Sequence, residues 1–419
     1  MSGSKKIGKA KNRNDTFSMK KEKSIYQKSR QLAPYWYVII FLLLVTAAIY
    51  LYHLITGSTP DRAAIHIEAL DFDVYWYGIW IVGGIALGSW VVASLAKERG
   101  EKVFRKSVPY KLRERPLNSL ELPDEVAQVF VKRKYDTLGD LLLPWGFDSR
   151  NVGLNKDGVA KVQKQLESAP QVKQEWIEDA PWRIWNPDHV WNGIIWCLIL
   201  GVIGARLYHV LTPSPSMAAV GIYSPLDYFR NPYQLINFRN GGLGIYGGMA
   251  GGALGLFLYS RRARIPMMAW ADLAVVGLAL GQVFGRWGNF FNQELYGRPT
   301  DLPWAVNIAP AYRLPEYSDV SSFHPAFLYE SLWSLLTFFI LYTLAKRYSN
   351  RLLTGELTAL YLIFYAVGRS LLELIRLDSR TVTIGTFESS MAIATLVSII
   401  IALLAVLWVI YRRATYKHP

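Results

Sequence analysis

Eight uninterrupted apolar runs of membrane length, at about 35 to 56, 74 to 96, 191 to 212, 242 to 260, 270 to 292, 326 to 346, 356 to 376 and 387 to 411, constrain this chain more than any other feature. In hydrocarbon every backbone N–H and C=O must be paired within the protein, so runs of this length fold as helices. The expected fold is an all-α polytopic membrane protein of about eight transmembrane helices. Composition agrees, with 52% apolar residues, 15 Trp and 25 Tyr in 419 residues. Between the second and third runs, residues 97–190 form a polar, mixed-charge insert with helical signals in LPDEVAQVFVKRKY and KDGVAKVQKQLE. Its closing tryptophans, Trp176, Trp182 and Trp185, are expected at the membrane interface.

The formal net charge of +14 would suit a nucleic-acid binder, but the distribution of basic residues excludes that partner. They fill alternate connections: the tail 1–34, then Arg261, Arg262 and Arg264, then Lys346, Arg347 and Arg351, then Arg412, Arg413 and Lys417. By the positive-inside rule both termini and the insert are cytoplasmic, and an even number of spans agrees. The tail reads as a topology signal, or as an arm attracted to anionic lipid. Cys197 is the only cysteine and lies in the apolar run IIWCLIL, where it reads as a packing residue. The six histidines show no ligand spacing, so neither metal nor cofactor is expected.

Ionisable side chains at membrane depth are rare and by default mark function. The fifth run ends in GQVFGRWGNFFNQELYGRPT, residues 281 to 300. Gly277, Gly281 and Gly285 recur every fourth residue as a flat face for another helix. Arg286, Asn289 and Gln293 follow at i, i+3 and i+7, a polar stripe on a different face. Asn292 and Glu294 stand beside them. Elsewhere Tyr77 lies in an aromatic cluster that suits an interfacial belt, and Arg206 in a position that suits snorkelling. The glycine-rich GGLGIYGGMAGG around Tyr246 reads as close helix packing or as a cavity wall. His324 caps the sixth run, with Glu330 inside it. Arg369, Glu373 and Arg376 fall at i, i+4 and i+7. That spacing fits an ion pair with a snorkelling arginine, or a cationic site whose guanidinium groups Glu373 orients.

The topology set by the basic residues carries all these groups to outward-facing span ends, which points to one outward-facing polar cavity. Its excess of arginine suits a phosphate, a bidentate partner of the guanidinium fork. No Ser, Thr or Cys stands beside a His as a nucleophile. An enzyme of this kind would take its nucleophile from a substrate and supply a general base and charge stabilisation. A lipid or anion transporter with an arginine site is the rival, but no internal repeat relates the halves. A metal-dependent headgroup enzyme would need an acidic cluster that the chain lacks.

At these residues the chain resembles the prolipoprotein diacylglyceryl transferase family. Its signature, GRxGNFxNxExxG, is matched by GRWGNFFNQELYG from Gly285 to Gly297. Flanking matches are VYWYG at Tyr77, GARLYHV at Arg206, ADLAVV at Asp272, HPAFLYE from His324 to Glu330, and GRSLLELIR from Gly368 to Arg376. The resemblance implies a seven-helix core, residues 70–96 and 191–413, with residues 35–56 as an extra N-terminal helix. It implies residence in the bacterial cytoplasmic membrane and transfer of diacylglyceryl from phosphatidylglycerol to the lipobox cysteine of a prolipoprotein signal peptide. It further implies a catalytic group of Arg286, Arg369, Tyr246, Glu294, His324 and Tyr77. Asn289, Asn292, Gly297, Arg206, Arg376, Glu373, Glu330 and Asp272 would bind substrate. One departure stands out: well-known members carry FHGG where this chain has IYGG with Tyr246. Tyrosine, with a pKa near 10, is a weak base. The ring would then position lipid, or the base would lie elsewhere, for example at Glu294 or His324.

Overall fold

The computed structural model describes residues 32–213, 217–218, 221–236, 242–377, 381–384 and 387–416. Residues 1–31 of the basic tail lie outside that set. The chain divides into two compact units, Met1–Thr59 and Pro60–Pro419. The first contains α1, Pro34–Thr56, which starts at a proline and stops where Gly57 turns left-handed and donates its N–H to the His53 carbonyl.

The second unit opens with an antiparallel hairpin, β1 Ala63–Ile67 and β2 Phe72–Tyr75, that runs directly into α2, Trp76–Ser107. Short helices of the insert follow, among them α3 Asp124–Lys132, α4 Leu138–Phe147 and α5 Lys156–Ser168. Then come α6 Asp188–Leu211, α7 Pro225–Arg230, α8 Ile245–Ala263, α9 Met267–Gly285 and α10 Trp287–Asn292. Small strands β3 Val306–Asn307 and β4 Ser322–Phe323 pair ahead of α11 Ala326–Arg347 and α12 Glu356–Glu373. A last hairpin, β5 Thr381–Ile384 and β6 Phe387–Ala392, precedes α13 Ile393–Thr415.

Among the described residues six helices are long and apolar enough to cross a membrane: α1, α2, α6, α9 continuing through α10, α11, and α13 from Thr395. This is a multi-pass helical membrane protein. The fourth and seventh expected runs also form helices, α8 and α12, but fall short in apolarity. Glycines and the terminal Arg261 and Arg262 dilute α8, while α12 carries Glu356, Arg369 and Glu373. Both pack among the apolar helices, α8 along α6 and α12 along α13.

Glycine sets the two closest helix approaches. Gly277 and Gly281 of α9 meet Gly88 and Gly84 of α2; a Cβ on Gly84 would sit 2.9 Å from the Gly281 carbonyl oxygen. Gly285 has open space beside it instead. The glycine-rich start of α8 likewise packs on α6, where Gly247 meets Gly204. Backbones can approach this closely only where no side chain intervenes.

The insert has its own apolar core, in which Phe130, Leu138, Trp145, Leu166, Trp176 and Trp182 are buried. Trp176 and Trp182 are therefore core residues, not interfacial ones. A domain this small needs bulky rings to fill its centre, and the Trp182 indole N–H finds the Leu143 carbonyl at 3.0 Å. Trp185 instead lies 5.8 Å from the Trp270 ring. Thr137 and Asp140 form a reciprocal capping box at the start of α4.

Candidate active site

The polar stripe of the fifth run is broken where it matters. Helix α9 ends at Gly285, Arg286 bridges to the short α10, and Gln293 closes that helix in the left-handed region at φ 52°. The Gln293 side chain consequently leaves the stripe, its Oε1 accepting the Ala309 N–H at 2.8 Å. Arg286 is held at the junction by an ion pair between its Nε and Glu330 Oε2. Glu330 also faces Arg376, whose Nη1 lies 3.7 Å from Oε1. A turn away, Arg369 Nη2 pairs with Glu373 Oε2 at 3.0 Å, and Thr395 Oγ1 donates to the same oxygen. Arg369 Nη1 and Glu373 Oε1 are buried with no hydrogen-bond partner among the described residues.

These groups surround a cavity of about 370 Å³ between α8, α9, α11, α12 and α13. Arg286, Arg369, Arg376, Glu330 and Tyr246 line it, against an otherwise largely apolar wall including Leu362, Val397 and Ile401. Three guanidinium groups against the Glu330 and Glu373 carboxylates leave a net positive charge in apolar surroundings, where charge interactions are far stronger than in water. Such a site would take an anion bearing bidentate oxygens.

Arg376 does not reach the cavity as part of a helical stripe. Helix α12 ends at Glu373, and Arg376 is held by a backbone bridge to Gly297. There three extended segments meet: the Gly297 N–H donates to the His324 carbonyl at 2.9 Å and the Arg298 N–H to the Ile375 carbonyl at 2.7 Å. A Cβ on Gly297 would lie 2.8 Å from His324 Cβ and 2.9 Å from the Ile375 oxygen, so only glycine lets the segments close. Gly297 thus acts through backbone geometry rather than by lining the cavity.

A second polar group lies on the signature itself. Glu294 Oε1 accepts from Asn289 Nδ2 at 2.9 Å and from Asn292 Nδ2 at 3.2 Å. Tyr77 packs against Gly288, where a Cβ would meet its ring at 2.5 Å. None of these four side chains lines the cavity. His324 also stands outside it, with Nδ1 3.2 Å from the Tyr329 hydroxyl, which in turn accepts from Trp304 Nε1.

Two expected binding residues lie elsewhere. Arg206 is buried, its guanidinium donating to the carbonyls of Leu235, Gly242 and Gln234 and lying over the Tyr228 ring. It ties down the segment ahead of α8. That segment is further ordered by Asp227, whose carboxyl is held below the usual range by the Tyr223 amide and the Ser224 hydroxyl and amide. Asp272 sits near the start of α9 and accepts from Gly355 N at 2.6 Å, Thr358 N at 2.9 Å and Thr358 Oγ1 at 2.8 Å. These are orphan donors at the α12 N-terminus, so Asp272 works as a cap supplied by another helix. We expect Asp272→Ala to cost about 2 kcal/mol, read as a lower thermal midpoint, with turnover per folded molecule retained. Lost turnover at unchanged stability would contradict that role.

Sequence reasoning missed Gln282 and Tyr361, both on the cavity wall and joined by a hydrogen bond of 2.9 Å from Gln282 Nε2 to the Tyr361 hydroxyl. The signal was available. Gln282 precedes Arg286 by one helical turn, and Tyr361, Tyr365, Arg369 and Glu373 recur every fourth residue on α12.

Fold and site together define a polytopic helical membrane protein with an arginine-lined cavity walled by its own helices. The model of the prolipoprotein diacylglyceryl transferase family matches residues 169–411, more than half of the chain. The chain belongs to that family. A phosphatidylglycerol–prolipoprotein diacylglyceryl transferase of Chloroflexus aggregans is 41% identical over 233 residues, covering 52% of this chain and 73% of the relative. The enzyme of the same name from Fervidobacterium nodosum is 38% identical over 227 residues, covering 54% and 71%. That of Frankia alni is 44% identical over 191 residues, covering 45% and 47%. Helix α2 and most of the insert precede the range that the family model matches.

Proposed function

We propose that this protein transfers the diacylglyceryl group of phosphatidylglycerol to the lipobox cysteine thiol of an exported prolipoprotein, at the cavity between α8, α9, α11, α12 and α13. The observation that carries this is the set of three arginines in an apolar pocket, with one buried donor, Arg369 Nη1, without a partner among the described residues. A phosphodiester placed there satisfies that donor. The thiol sulfur bonds to the glyceryl carbon as the carbon–oxygen bond to phosphate breaks, and glycerol phosphate leaves with the electron pair. Arg286 and Arg369 stabilise the charge on the departing phosphate, while Glu330 and Glu373 keep both guanidinium groups oriented.

The thiol proton ends on the phosphate oxygen that the broken carbon–oxygen bond frees, and a protein base would serve to carry it there. Of the three candidates, Tyr246 lines the cavity, while the contacts of Glu294 and His324 described above hold them in other groups. Tyr246 acts in this account as a lipid-positioning ring, so Tyr246→Phe should lower turnover less than Arg286→Lys does. The reverse order, in initial rates with lipid and peptide both saturating, would make Tyr246 the proton carrier.

The basic residues at the far ends of α8, α11 and α13 support a cytoplasmic position for those ends and for both termini, and with it a cavity that faces the outer side of the bacterial cytoplasmic membrane, to which a preprotein is exported. Purified protein incubated with phosphatidylglycerol and a lipobox peptide should yield a thioether-linked diacylglyceryl peptide. No product from a lipid preparation that supports a related transferase would overturn the reading. Flux across liposomes without turnover would restore the transport alternative, which the family assignment does not favour.

A further inference from the structure

We propose that the β1–β2 hairpin is an interfacial anchor, seated by one apolar face in the lipid leaflet at the N-terminal end of α2. Cross-strand pairs lie on one face of a hairpin, and successive residues alternate faces. The register pairs Ile65 with Val74, His66 with Asp73, and Ile67 with Phe72. One face therefore carries Ile65, Ile67, Phe72 and Val74, and the other carries the His66–Asp73 pair, joined at 2.8 Å. Among the described residues that apolar face is largely open, with Ile65 58% and Phe72 53% exposed. In water such a face would be a liability on so small a sheet.

The position of the hairpin identifies what covers it. Strand β2 passes into α2 without a linker, Tyr75 being the residue before the helix. The Trp76 N–H donates back to the Arg62 carbonyl at 3.0 Å, and the Trp76 ring stacks 5.0 Å from Phe291 of α10, so hairpin and helix start are tied together. From Trp76 the helix runs through 21 residues with no charge until Lys97. At about 1.5 Å per residue that is about 31 Å, the thickness of the hydrocarbon core. Trp76 then lies at the boundary of the core, so the hairpin begins at the level of the headgroups, where an exposed apolar face can meet lipid. Glu68 and Asp71 stand at its tip and Asp73 on the polar face, so all three carboxylates can stay in water. The occupant of the apolar face is lipid, and the driving force is burial of apolar area rather than attraction to anionic headgroups.

The single native cysteine makes the test direct. In a Cys197→Ser background, a nitroxide is attached at Ile67→Cys or Phe72→Cys, and at His66→Cys or Asp73→Cys. The full chain is reconstituted in zwitterionic bilayers and in bilayers with added phosphatidylglycerol. The ratio of oxygen to water-soluble nickel-chelate accessibility should be several-fold higher at 67 and 72 than at 66 and 73, in both lipid mixtures. Equal ratios on the two faces would overturn the proposal. So would protection of positions 67 and 72 that appears only with anionic lipid.

Discussion

Arg286→Lys should lower transferase turnover by about 10²- to 10³-fold while the protein still inserts and folds. The guanidinium is placed where α9 gives way to α10, with Nε paired to Glu330, and Arg286 lines the cavity. Lysine keeps the charge but loses the planar fork. An ammonium drawn to Glu330 cannot also offer parallel donors to a phosphate. Because negative charge grows on the leaving oxygen as the carbon–oxygen bond breaks, the loss should fall mainly on kcat, with a smaller change in KM. Initial rates over a range of phosphatidylglycerol concentrations, with peptide saturating, make the measurement. A rate within a few-fold of the unaltered protein, or a change confined to KM, would remove Arg286 from the transition state.

How much of this arrangement could be read from the residues depends on what fixes each group. Helical spacing found the glycine face of α9 and the Arg369–Glu373 pair, because these lie on helices where three- and four-residue spacing decides the neighbours, while Arg286 and Glu330 stood out as ionisable residues at membrane depth. It failed where the helix stops. Gln293 leaves the stripe because α10 closes in a left-handed residue, and Arg376 is delivered by a backbone bridge to Gly297, a contact between segments far apart in sequence. Arg206 was visible as a charge at a span end and Asp272 only through the family resemblance, and neither signal says whether the partner is a ligand or the protein's own backbone. In both cases it is backbone: loop carbonyls for Arg206, and the α12 N-terminus for Asp272. Trp176 and Trp182 misled for a related reason, since aromatic enrichment beside a span fits a small domain core as well as an interface. Tyr361 was overlooked because tyrosine in an apolar run reads as bulk, and only the pairing with Gln282 shows a polar wall.

Glu330→Gln should produce the largest loss of stability, a fall in the thermal midpoint on the order of 10 °C in detergent, corresponding to about 3 to 5 kcal/mol. The carboxylate is 10% exposed and stands between Arg286 and Arg376. With glutamine there, both guanidinium groups face each other across a low-dielectric pocket without the intervening negative charge. A carboxamide can satisfy at most part of their hydrogen bonding. The effect should be coupled: adding Arg286→Met to Glu330→Gln should recover part of the midpoint, since the second change removes one of the two stranded charges. Excess phosphatidylglycerol should also raise the midpoint of Glu330→Gln more than that of the unaltered protein, because an anionic headgroup in the cavity replaces the missing charge. Additive losses in the double variant, with no added protection by lipid, would mean that Glu330 is an ordinary buried side chain rather than the counter-charge of the arginine site.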